Sequence, residues 1–430
     1  MQPTAKSLVV ATLLLAGCAA TNFMFYYEKA ERFYAAGSYE AAIEHYMKAI
    51  SESEKYPEAY HALAMSYYQL GDTEDAILAF EKTLEKDSLY TSAYEVLASI
   101  YMDLGRPDTA IVLCQKAIRI DSEYVRAYTT MGMALSRRGQ VSSAERTLCH
   151  AIDLAKTLQT RFRFRDLLRT VDYWGLDYDQ ADAYNALGEV YSSLGRHEDA
   201  LQALDNAITL AHDWPIPWLK KGAEYDSLRK YQAAEMAYQR AIDIDPRDPE
   251  GYRGLAQLYR ELGMRDEAIQ KLREAIGADS TDPGSYLLLA DLYQAADDYR
   301  WAMAAYSGAI QYAPDDTVGY MRAGRLLLKT GVYDRALSLF EEAVRLAPES
   351  AEAYDGIGEA FVGKGMNDEA EAAFKSAIEL DTAYAMPVRQ LGNLYVGEGK
   401  EEEALKYLRR AAVLGDRPSQ AYLRERGLVW

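Results

Sequence analysis

One position recurs along most of this chain with a fixed period, and that period constrains the fold more than any other feature. It is occupied first by Gly37, Gly71, Gly105 and Gly139, in steps of 34 residues. The same step then leads from Gly195 to Arg229, Gly263, Asp297, Gly331, Gly365 and Gly399. Between Gly139 and Gly195 the step is 56, so 56 − 34 = 22 additional residues interrupt the series. A sustained period of this length indicates a repeat protein, in which each repeat packs on its neighbours.

The residues around these eleven positions predict two antiparallel helices per repeat. An alanine stands five places after every one of them, and Ala or Gly stands seven places before. Small residues let helix axes approach closely, and large residues one turn away fill the remaining space. Tyrosine stands eleven places before nine of the eleven, which helps to explain why the chain has 35 tyrosines and only 9 phenylalanines. A glycine between the helices fits the left-handed backbone that ends the first of them.

A 34-residue repeat with this arrangement of small and large residues resembles the tetratricopeptide repeat. The segment AEAYDGIGEAFVGKGMNDEAEAAFKSAIELD, from Ala351, is closely similar to that family. The resemblance covers about residues 23–418 as eleven repeats, and it implies an all-α, right-handed superhelical solenoid of helix-turn-helix repeats. We predict repeats 1–4 over residues 23–158, an insertion made of a helix extension and a loop over 159–180, repeats 5–11 over 181–418, and a capping helix over 419–430.

The N-terminus has the features of a lipoprotein signal peptide over residues 1–17. Lys6 precedes an apolar run from about residue 8 to 16, which is too short to span a bilayer. The run ends in Leu15-Ala16-Gly17-Cys18, which resembles the lipobox of bacterial lipoproteins. The resemblance implies a lipid on Cys18 and a short linker over residues 18–22. Ala19 follows the cysteine, which by the enteric sorting rule implies the outer membrane, facing the periplasm. The alternative is an ordinary signal peptide with a chance cysteine.

Composition argues against nucleic-acid binding and against catalysis. The net charge is −19, whereas phosphate recognition needs a basic surface. Almost no sequence lies outside the repeats to form a catalytic domain, and neither a nucleophile elbow nor a phosphate-binding glycine loop occurs. No histidine pairs with a second ligand at metal-binding spacing. We therefore predict no catalytic residue, no metal and no cofactor. Cys114 and Cys149 are interpreted as small buried residues, with a disulfide between them as the alternative.

In the resembled family, ligands are usually peptides or helices held by the first helices of the repeats. The resemblance implies that the fifth, ninth and twelfth places of each repeat face this groove. In the early repeats these places predict an apolar groove containing Tyr27, Met65, Tyr68, Met102 and Met133. In the later repeats they predict a basic groove containing Arg253, Arg260, Arg325 and Arg389, with Arg322 beside it. These arginines either bind a partner's carboxylates or only balance an acidic surface.

The interruption of the repeats is rich in arginine and aromatic residues. Apolar residues at helical spacing predict that the second helix of repeat 4 continues to about Thr170, and that VDYWGLDYDQ then turns back into repeat 5. One hypothesis is a dock for an acidic partner, formed by Arg161, Arg163, Arg165, Arg169, Tyr173 and Trp174. The alternative is a lid, in which Phe162, Leu168 and Trp174 pack on the seam between repeats 4 and 5.

The predicted function is a membrane-anchored scaffold or assembly factor of a bacterial envelope complex, which binds peptide or protein partners in its groove. The alternative is a glycan- or cell-wall-associated module, or an accessory protein of polysaccharide export. Both rest on analogy with lipoproteins of the resembled family. Near the predicted anchor, Phe23 and Phe25 either contact lipid headgroups or pack on the second helix of repeat 1.

Overall fold

The computed structural model describes residues 21–165 and 174–430, which form 23 helices and no strand. Helix α1 covers residues 21–35. The helices that follow are α2 Tyr39–Glu52, α3 Pro57–Leu70, α4 Thr73–Lys86, α5 Thr91–Asp103, α6 Pro107–Ile120, α7 Val125–Arg137, α8 Val141–Arg165, α9 Trp174–Ser193, α10 His197–Leu210, α11 Ile216–Ser227, α12 Tyr231–Ile244, α13 Pro249–Glu261, α14 Arg265–Ala278, α15 Pro283–Ala295, α16 Tyr299–Tyr312, α17 Thr317–Lys329, α18 Tyr333–Leu346, α19 Ala351–Lys364, α20 Asn367–Leu380, α21 Ala385–Gly397, α22 Glu401–Val413 and α23 Arg417–Glu425. Odd-numbered helices from α1 to α21 are the first helices of the repeats, and even-numbered helices are the second.

Each first helix ends at the periodic position. The nine glycines of the series have φ between 68° and 83°. Arg229 and Asp297, which replace glycine in two repeats, adopt the same left-handed conformation with φ of 55° and 57°. The turn therefore depends on backbone geometry that the fold imposes even where the residue disfavours it.

The alanine of each second helix is the point of closest packing. All eleven alanines of the series, from Ala42 to Ala404, are at most 1% exposed. The small residue of the first helix has a similar role. A Cβ atom added to Gly358 would lie 2.5 Å from the ring of Phe374, which is fully buried. The pattern of small and large residues therefore forms a continuous core between the two helices of each repeat.

The recurrent tyrosine of the first helix contacts the loop before its repeat. In five repeats its hydroxyl donates a hydrogen bond of 3.1–3.4 Å to the carbonyl oxygen six residues earlier. The pairs are Tyr94–Ser88, Tyr128–Ser122, Tyr252–Pro246, Tyr286–Ser280 and Tyr320–Pro314. Phenylalanine fills the same space without this hydroxyl, which gives a physical reason for the excess of tyrosine.

The chain divides into two compact units, one up to Glu224 and one from Tyr225 to Trp430. Close contacts that skip a helix join first helices. They are α5–α7 and α7–α9 in the first unit, and α13–α15, α17–α19 and α19–α21 in the second. The first helices thus form the inner face of each unit, and the second helices form its outer layer.

The interruption lengthens two helices. Helix α8 has 25 residues and α9 has 20, whereas the regular helices α2 and α4 have 14. Residues 174–180, which were predicted to turn back into repeat 5, are instead the first turns of α9. The reason is local packing: Leu176 contacts the core, and the Gln159 side chain on α8 donates to Asp177 Oδ1 at 2.7 Å and to Gln180 Oε1 at 3.1 Å. The segment 166–173 lies outside the described residues.

The two ends of the chain are covered differently. Phe23 is 3% exposed and stacks on Tyr56 with ring centroids 4.3 Å apart, whereas Phe25 is 62% exposed. Of these two phenylalanines, Phe25 is the one that presents its ring to solvent. At the other end, α23 packs on α22 and buries Leu423 completely. Within the described ranges, no helix has the length and apolar character needed to cross a bilayer. The predicted signal peptide, Cys18 and Ala19 lie outside those ranges.

Candidate functional site

The predicted apolar groove residues of the early repeats contribute mainly to packing. The ring of Tyr27 lies 5.7 Å from that of Phe23 and 5.6 Å from that of Tyr46, measured between centroids. Met65 and Tyr68 are half-buried against the core of repeats 1–3, and Met133 is half-buried against that of repeats 3–5. They leave only part of their surface to a ligand.

The prediction that Met102 lines the groove is wrong. This side chain is 5% exposed and belongs to the core. Helix α7 of the next repeat covers this part of α5, and Arg137 Nη1 donates a 2.7 Å hydrogen bond to the Met102 carbonyl oxygen. Where successive first helices approach this closely, the twelfth place of a repeat lies between them.

Four of the five predicted groove arginines form ion pairs with carboxylates that lie 27–31 residues away in the chain, on or just before another helix. The pairs are Arg253 Nη1–Asp282 Oδ1 at 2.9 Å, Arg322 Nη1–Asp291 Oδ2 at 2.5 Å, Arg325 Nη2–Glu352 Oε2 at 3.5 Å and Arg389 Nε–Asp416 Oδ1 at 3.2 Å. Arg260 is exposed and has no ion pair among the described residues. The chain itself therefore supplies carboxylates to this basic groove, which reduces its capacity to bind those of a partner.

Two of these carboxylates also cap helices, and their position directly before a helix indicates this role in the sequence. Asp282 precedes α15 and accepts hydrogen bonds from the backbone N–H groups of Gly284 and Ser285. Asp416 precedes α23 and accepts from the N–H of Ser419. Aspartate directly before a helix is a common N-cap. The sequence does not show that the same two carboxylates also pair with arginines 29 and 27 residues earlier, Arg253 and Arg389.

The inner face of the last three repeats contains a cavity of about 520 Å³. Its polar lining comes from Glu359, Asn367, Gln390 and Asn393, and its apolar lining includes Leu328, Val362, Phe374 and Leu394. Gln390 Nε2 donates to Glu359 Oε1 at 2.9 Å, and Asn367 Nδ2 donates to Glu398 Oε1 at 3.0 Å. Asn393 is exposed, and its amide makes no hydrogen bond with the described residues. The cavity thus combines amide groups with an apolar floor.

A buried carboxyl lies on α19, four residues before Glu359. Asp355 is 3% exposed, and its Oδ2 accepts a 3.1 Å hydrogen bond from the Tyr384 hydroxyl. Its Oδ1 has no partner in the described structure. Burial raises the pKa of Asp355 to about 7, although Arg325 and Arg389 act in the opposite direction. A pKa in this range means that the carboxyl titrates near neutral pH, and nothing in the sequence except its place in the repeat indicates this.

Only one residue of the predicted insertion dock has a described side chain. Arg161 is about half exposed and pairs with Glu123 through a 2.6 Å contact between Nη1 and Oε1. Arg163 and Arg165 lie on the helical backbone of α8, and Trp174 begins α9. The side chains of these three residues, and the whole of Arg169 and Tyr173, lie outside the described residues. The same is true of the Phe162 side chain and of Leu168, which the lid interpretation requires.

The two described cysteines are free thiols. Cys114 is fully buried, and burial raises the pKa of its thiol to about 12. Cys149 is partly buried, and its pKa is raised for the same reason. A thiol with a raised pKa is a poor nucleophile. The described residues also contain no group of three or more His, Cys, Asp or Glu side chains arranged to hold a metal ion.

Family models match the chain over most of its length. Those described as TPR repeat and tetratricopeptide repeat match residues 30–71, 61–125, 181–213 and 217–248. The chain belongs to the tetratricopeptide repeat family. A model of the C-terminal domain of cilia and flagella-associated protein 70 matches residues 249–425. These ranges leave residues 126–180 between them, which include the interruption of the tetratricopeptide repeats.

Solved structures similar to this tetratricopeptide repeat protein have low sequence identity. Yeast Tom70 is 16% identical, with 94% of this chain and 95% of that chain covered and a TM-score of 0.43. MamA from Desulfovibrio magneticus RS-1 is 24% identical over 39% of this chain and 94% of that chain, with a TM-score of 0.36. YrrB, described as a TPR protein with an unusual peptide-binding site, is 21% identical over 44% of this chain and 97% of that chain, with a TM-score of 0.36. No curated protein shows significant sequence similarity to the chain.

Proposed function

We propose that this protein is a protein-interaction scaffold that binds an extended segment of a partner on its inner face. The observation that carries the proposal is the cavity in the last three repeats, which is lined by their first helices and by residues of the second helices α18 and α20. Its volume of about 520 Å³ is within the range of specific ligand sites. A scaffold of this kind needs no catalytic residue, because the repeats supply only surface and shape.

The lining of the cavity suits a peptide rather than a charged small molecule. Side-chain amides both donate and accept hydrogen bonds, so Asn393 and Gln390 can pair with the N–H and C=O groups of an extended backbone. Leu328, Phe374 and Leu394 form an apolar floor that would receive one large apolar side chain. The nearby arginines already have carboxylate partners, so an acidic ligand gains little from them.

Site-specific photocrosslinking tests this proposal. A photoreactive phenylalanine replaces Asn393 in the cavity, and in a matched control it replaces Met236, which is 70% exposed on the outer helix α12. Irradiation of intact cells should give a discrete crosslinked species from position 393 and not from position 236. Equal yields at both positions, or no product at position 393, would contradict binding in the cavity.

We further propose that the scaffold is a lipoprotein of a bacterial envelope, anchored through Cys18 in the outer membrane and facing the periplasm, where it serves the assembly of an envelope complex. The Leu15-Ala16-Gly17-Cys18 motif supports the anchor, and the short stretch between Cys18 and α1 would hold repeat 1 close to the bilayer. Metabolic labelling with an alkyne fatty acid should mark the protein, and Cys18→Ser should abolish both the label and membrane sedimentation. A Cys18→Ser protein that still sediments with membranes would refute the lipid anchor.

A further inference from the structure

On one part of the inner face of the first unit, formed by α5, α7, α9 and α11, the described carboxylates outnumber the described cations. Asp179, Asp182 and Glu189 lie along α9, Glu95 lies on α5, and Arg126 lies on α7 between them. The Arg126 Nε atom is 3.9 Å from Glu95 Oε2 and 4.0 Å from Asp179 Oδ1. Lys220 pairs with Glu189. Four carboxylates and two cations give this surface a formal charge of −4 + 2 = −2.

Among the residues that the structure describes, two buried oxygen atoms on this surface have no hydrogen-bond donor. Glu95 is 4% exposed, and its Oε1 accepts a 2.8 Å hydrogen bond from the Thr130 hydroxyl, but its Oε2 has no such partner. Arg126 is too far from Oε2 for a hydrogen bond. Asn185 is 5% exposed and follows Asp182 by one helical turn, and its Oδ1 is also unpartnered. Nearly all buried polar atoms in proteins have a partner, so two such acceptors beside one cluster need an explanation.

We propose that this surface, formed by Glu95, Asp179, Asp182 and Asn185, binds a lysine or arginine side chain of the partner segment. Such a side chain carries the N–H donors that the two oxygens lack and the positive charge that offsets the excess of carboxylates. The inference rests on the proposed function, since the basic side chain belongs to the same extended segment that the scaffold holds. It assigns that segment a basic character, whereas binding through the arginines of the later repeats, one of the two alternatives left by the sequence, would require an acidic one.

The raised pKa of Asp182 is consistent with a surface on which Arg126 and Lys220 do not fully offset the negative charge and the burial of the carboxylates. The pKa of this carboxyl is raised to about 6, chiefly by burial and also by the neighbouring charges of Glu95 and Asp179. Lys220 and Arg126 lower it, but not back to its ordinary value. A bound ammonium or guanidinium group would lower the pKa of Asp182, because a nearby positive charge favours the ionised carboxylate.

The interruption of the repeats contributes directly to this surface. Asp179 lies in the added first turns of α9, before the regular start of repeat 5 at Ala181. These turns are attached to α8 through Gln159, which donates to Asp177 and Gln180. Lengthening α8 and α9 therefore places an additional carboxylate beside Arg126. The insertion thus shapes the inner face as well as the seam between repeats 4 and 5.

The experiment is selection of a random twelve-residue peptide library on the full chain, followed by affinity measurement of the enriched peptides. The enriched peptides should share one lysine or arginine at a fixed position. Replacement of that residue by norleucine should weaken binding by about tenfold or more, the usual effect of losing a charge-assisted hydrogen bond. Glu95→Gln combined with Asp182→Asn should have the same effect. Gln in place of Glu95 retains an oxygen that accepts from Thr130, so the fold is preserved.

The matched control is Glu198→Gln combined with Asp199→Asn on the outer helix α10, which changes the net charge by the same amount. This control should retain full affinity for the peptides. Enriched peptides without a conserved basic residue, or equal affinity for the Glu95/Asp182 variant, would overturn the inference and leave the proposed function intact. No enriched peptide at all would contradict both. Stabilisation of the protein by millimolar Ca²⁺ alone, lost in the Glu95/Asp182 variant, would overturn the inference in favour of a metal site.

Discussion

Among single residues, Arg229 is the clearest case of backbone strain in the repeats. It has φ of 55° at a turn where most other repeats have glycine, and its side chain is exposed. A left-handed conformation costs a non-glycine residue about 1–2 kcal/mol. We therefore expect Arg229→Gly to increase the free energy of unfolding by about 1 kcal/mol, observed as a higher urea midpoint. Gly263→Ala, at the same place in the next repeat, should have the opposite effect, and a loss of stability in Arg229→Gly would refute the strain.

Asp355 should make stability depend on pH. Its folded-state pKa is about 7, against an ordinary value of 3.8, because burial disfavours the charged form. The folded protein therefore binds this proton more tightly than the unfolded chain, so the contribution of Asp355 to stability is greatest at low pH. That contribution should decrease as the pH rises from about 4 to about 7 and then stay constant, with a total effect on the order of 4 kcal/mol.

The Asp355→Asn variant isolates this effect, because asparagine fills the same space without a charge. Urea unfolding at several pH values should show a flatter stability profile for Asp355→Asn than for the native protein between pH 5 and 7.5. Asp368→Asn, at an exposed site on α20, should leave the profile unchanged. Parallel profiles for the native protein and Asp355→Asn would show that the carboxyl does not titrate in this range.

The groove arginines illustrate how far single residues can be predicted. The period correctly placed Arg253, Arg322, Arg325 and Arg389 on first helices. It did not reveal their carboxylate partners, since each partner lies 27–31 residues away, on or just before a different helix. The prediction for Met102 was wrong for a related reason. The burial of this side chain depends on how closely α7 approaches α5, and the sequence of one repeat does not specify that distance. The period predicts which side chains share one face of a helix. The neighbouring repeat determines which residues those side chains contact.

Among the helices, the recurrent tyrosine joins the first helix to the end of the preceding repeat through a hydrogen bond in five repeats. The Tyr320 hydroxyl donates a 3.1 Å hydrogen bond to the Pro314 carbonyl oxygen. We expect Tyr320→Phe to lower the free energy of unfolding by about 1 kcal/mol, a typical value for one hydrogen bond. Tyr354 occupies the same place in the following repeat without such a bond among the described contacts, so Tyr354→Phe should be close to neutral. Equal losses in both variants, measured by urea unfolding, would show that the hydrogen bond to Pro314 is not the cause of the effect.

The insertion was predicted in part. Helical spacing correctly indicated that the second helix of repeat 4 passes its usual end, and α8 does continue to Arg165. The same reasoning missed the start of α9 at Trp174, because WGLDYDQ contains a glycine and three acidic or amide residues that are typical of turns. Its helical state depends on tertiary contacts, through Leu176 with the core and Gln180 with Gln159. Such contacts outweigh local propensity.

Deletion of residues 159–180 restores the uninterrupted period of 34 and tests what the insertion does. It removes the contact of Leu176 with the core and Gln180, which is 3% exposed. We therefore expect the midpoint of thermal unfolding to fall by at least about 2–4 °C, corresponding to a loss of 1 kcal/mol or more in a chain of this size class. Unchanged stability together with loss of a crosslinked partner would instead assign the insertion to docking. Circular dichroism and the crosslink at position 393 report the two outcomes separately.

For the whole molecule, the period of 34 was sufficient to predict the all-helical repeat fold and the alternation of first and second helices. It was not sufficient to predict the functional surfaces. The amide-lined cavity of the second unit and the acidic surface of the first use side chains from three or more consecutive repeats. They depend on the deviations of each repeat from the consensus, and those deviations have no common pattern. The shared positions specify the fold, and the variable ones on the inner face are available for recognition.

A repeat protein in which each repeat contacts mainly its neighbours should lose stability locally when one end is removed. Helix α23 covers the last repeat and buries Leu423 completely against it. Deletion of residues 417–430 exposes this surface, and α21 and α22 are its immediate neighbours. We expect amide hydrogen exchange to accelerate in α21 and α22, and to remain unchanged in α5–α8 of the first unit.

The point variant Leu423→Ala provides a graded control, because it leaves α23 in place and removes only its central apolar contact. It should accelerate exchange in the same helices by a smaller factor, consistent with the loss of about 2–4 kcal/mol for a buried leucine. Exchange that accelerates equally from α2 to α22 would mean that the molecule unfolds as a single cooperative structure. In that case a partner bound on the inner face of one unit would stabilise the other unit as well, whereas local unfolding confines the stabilisation to the repeats that the partner contacts.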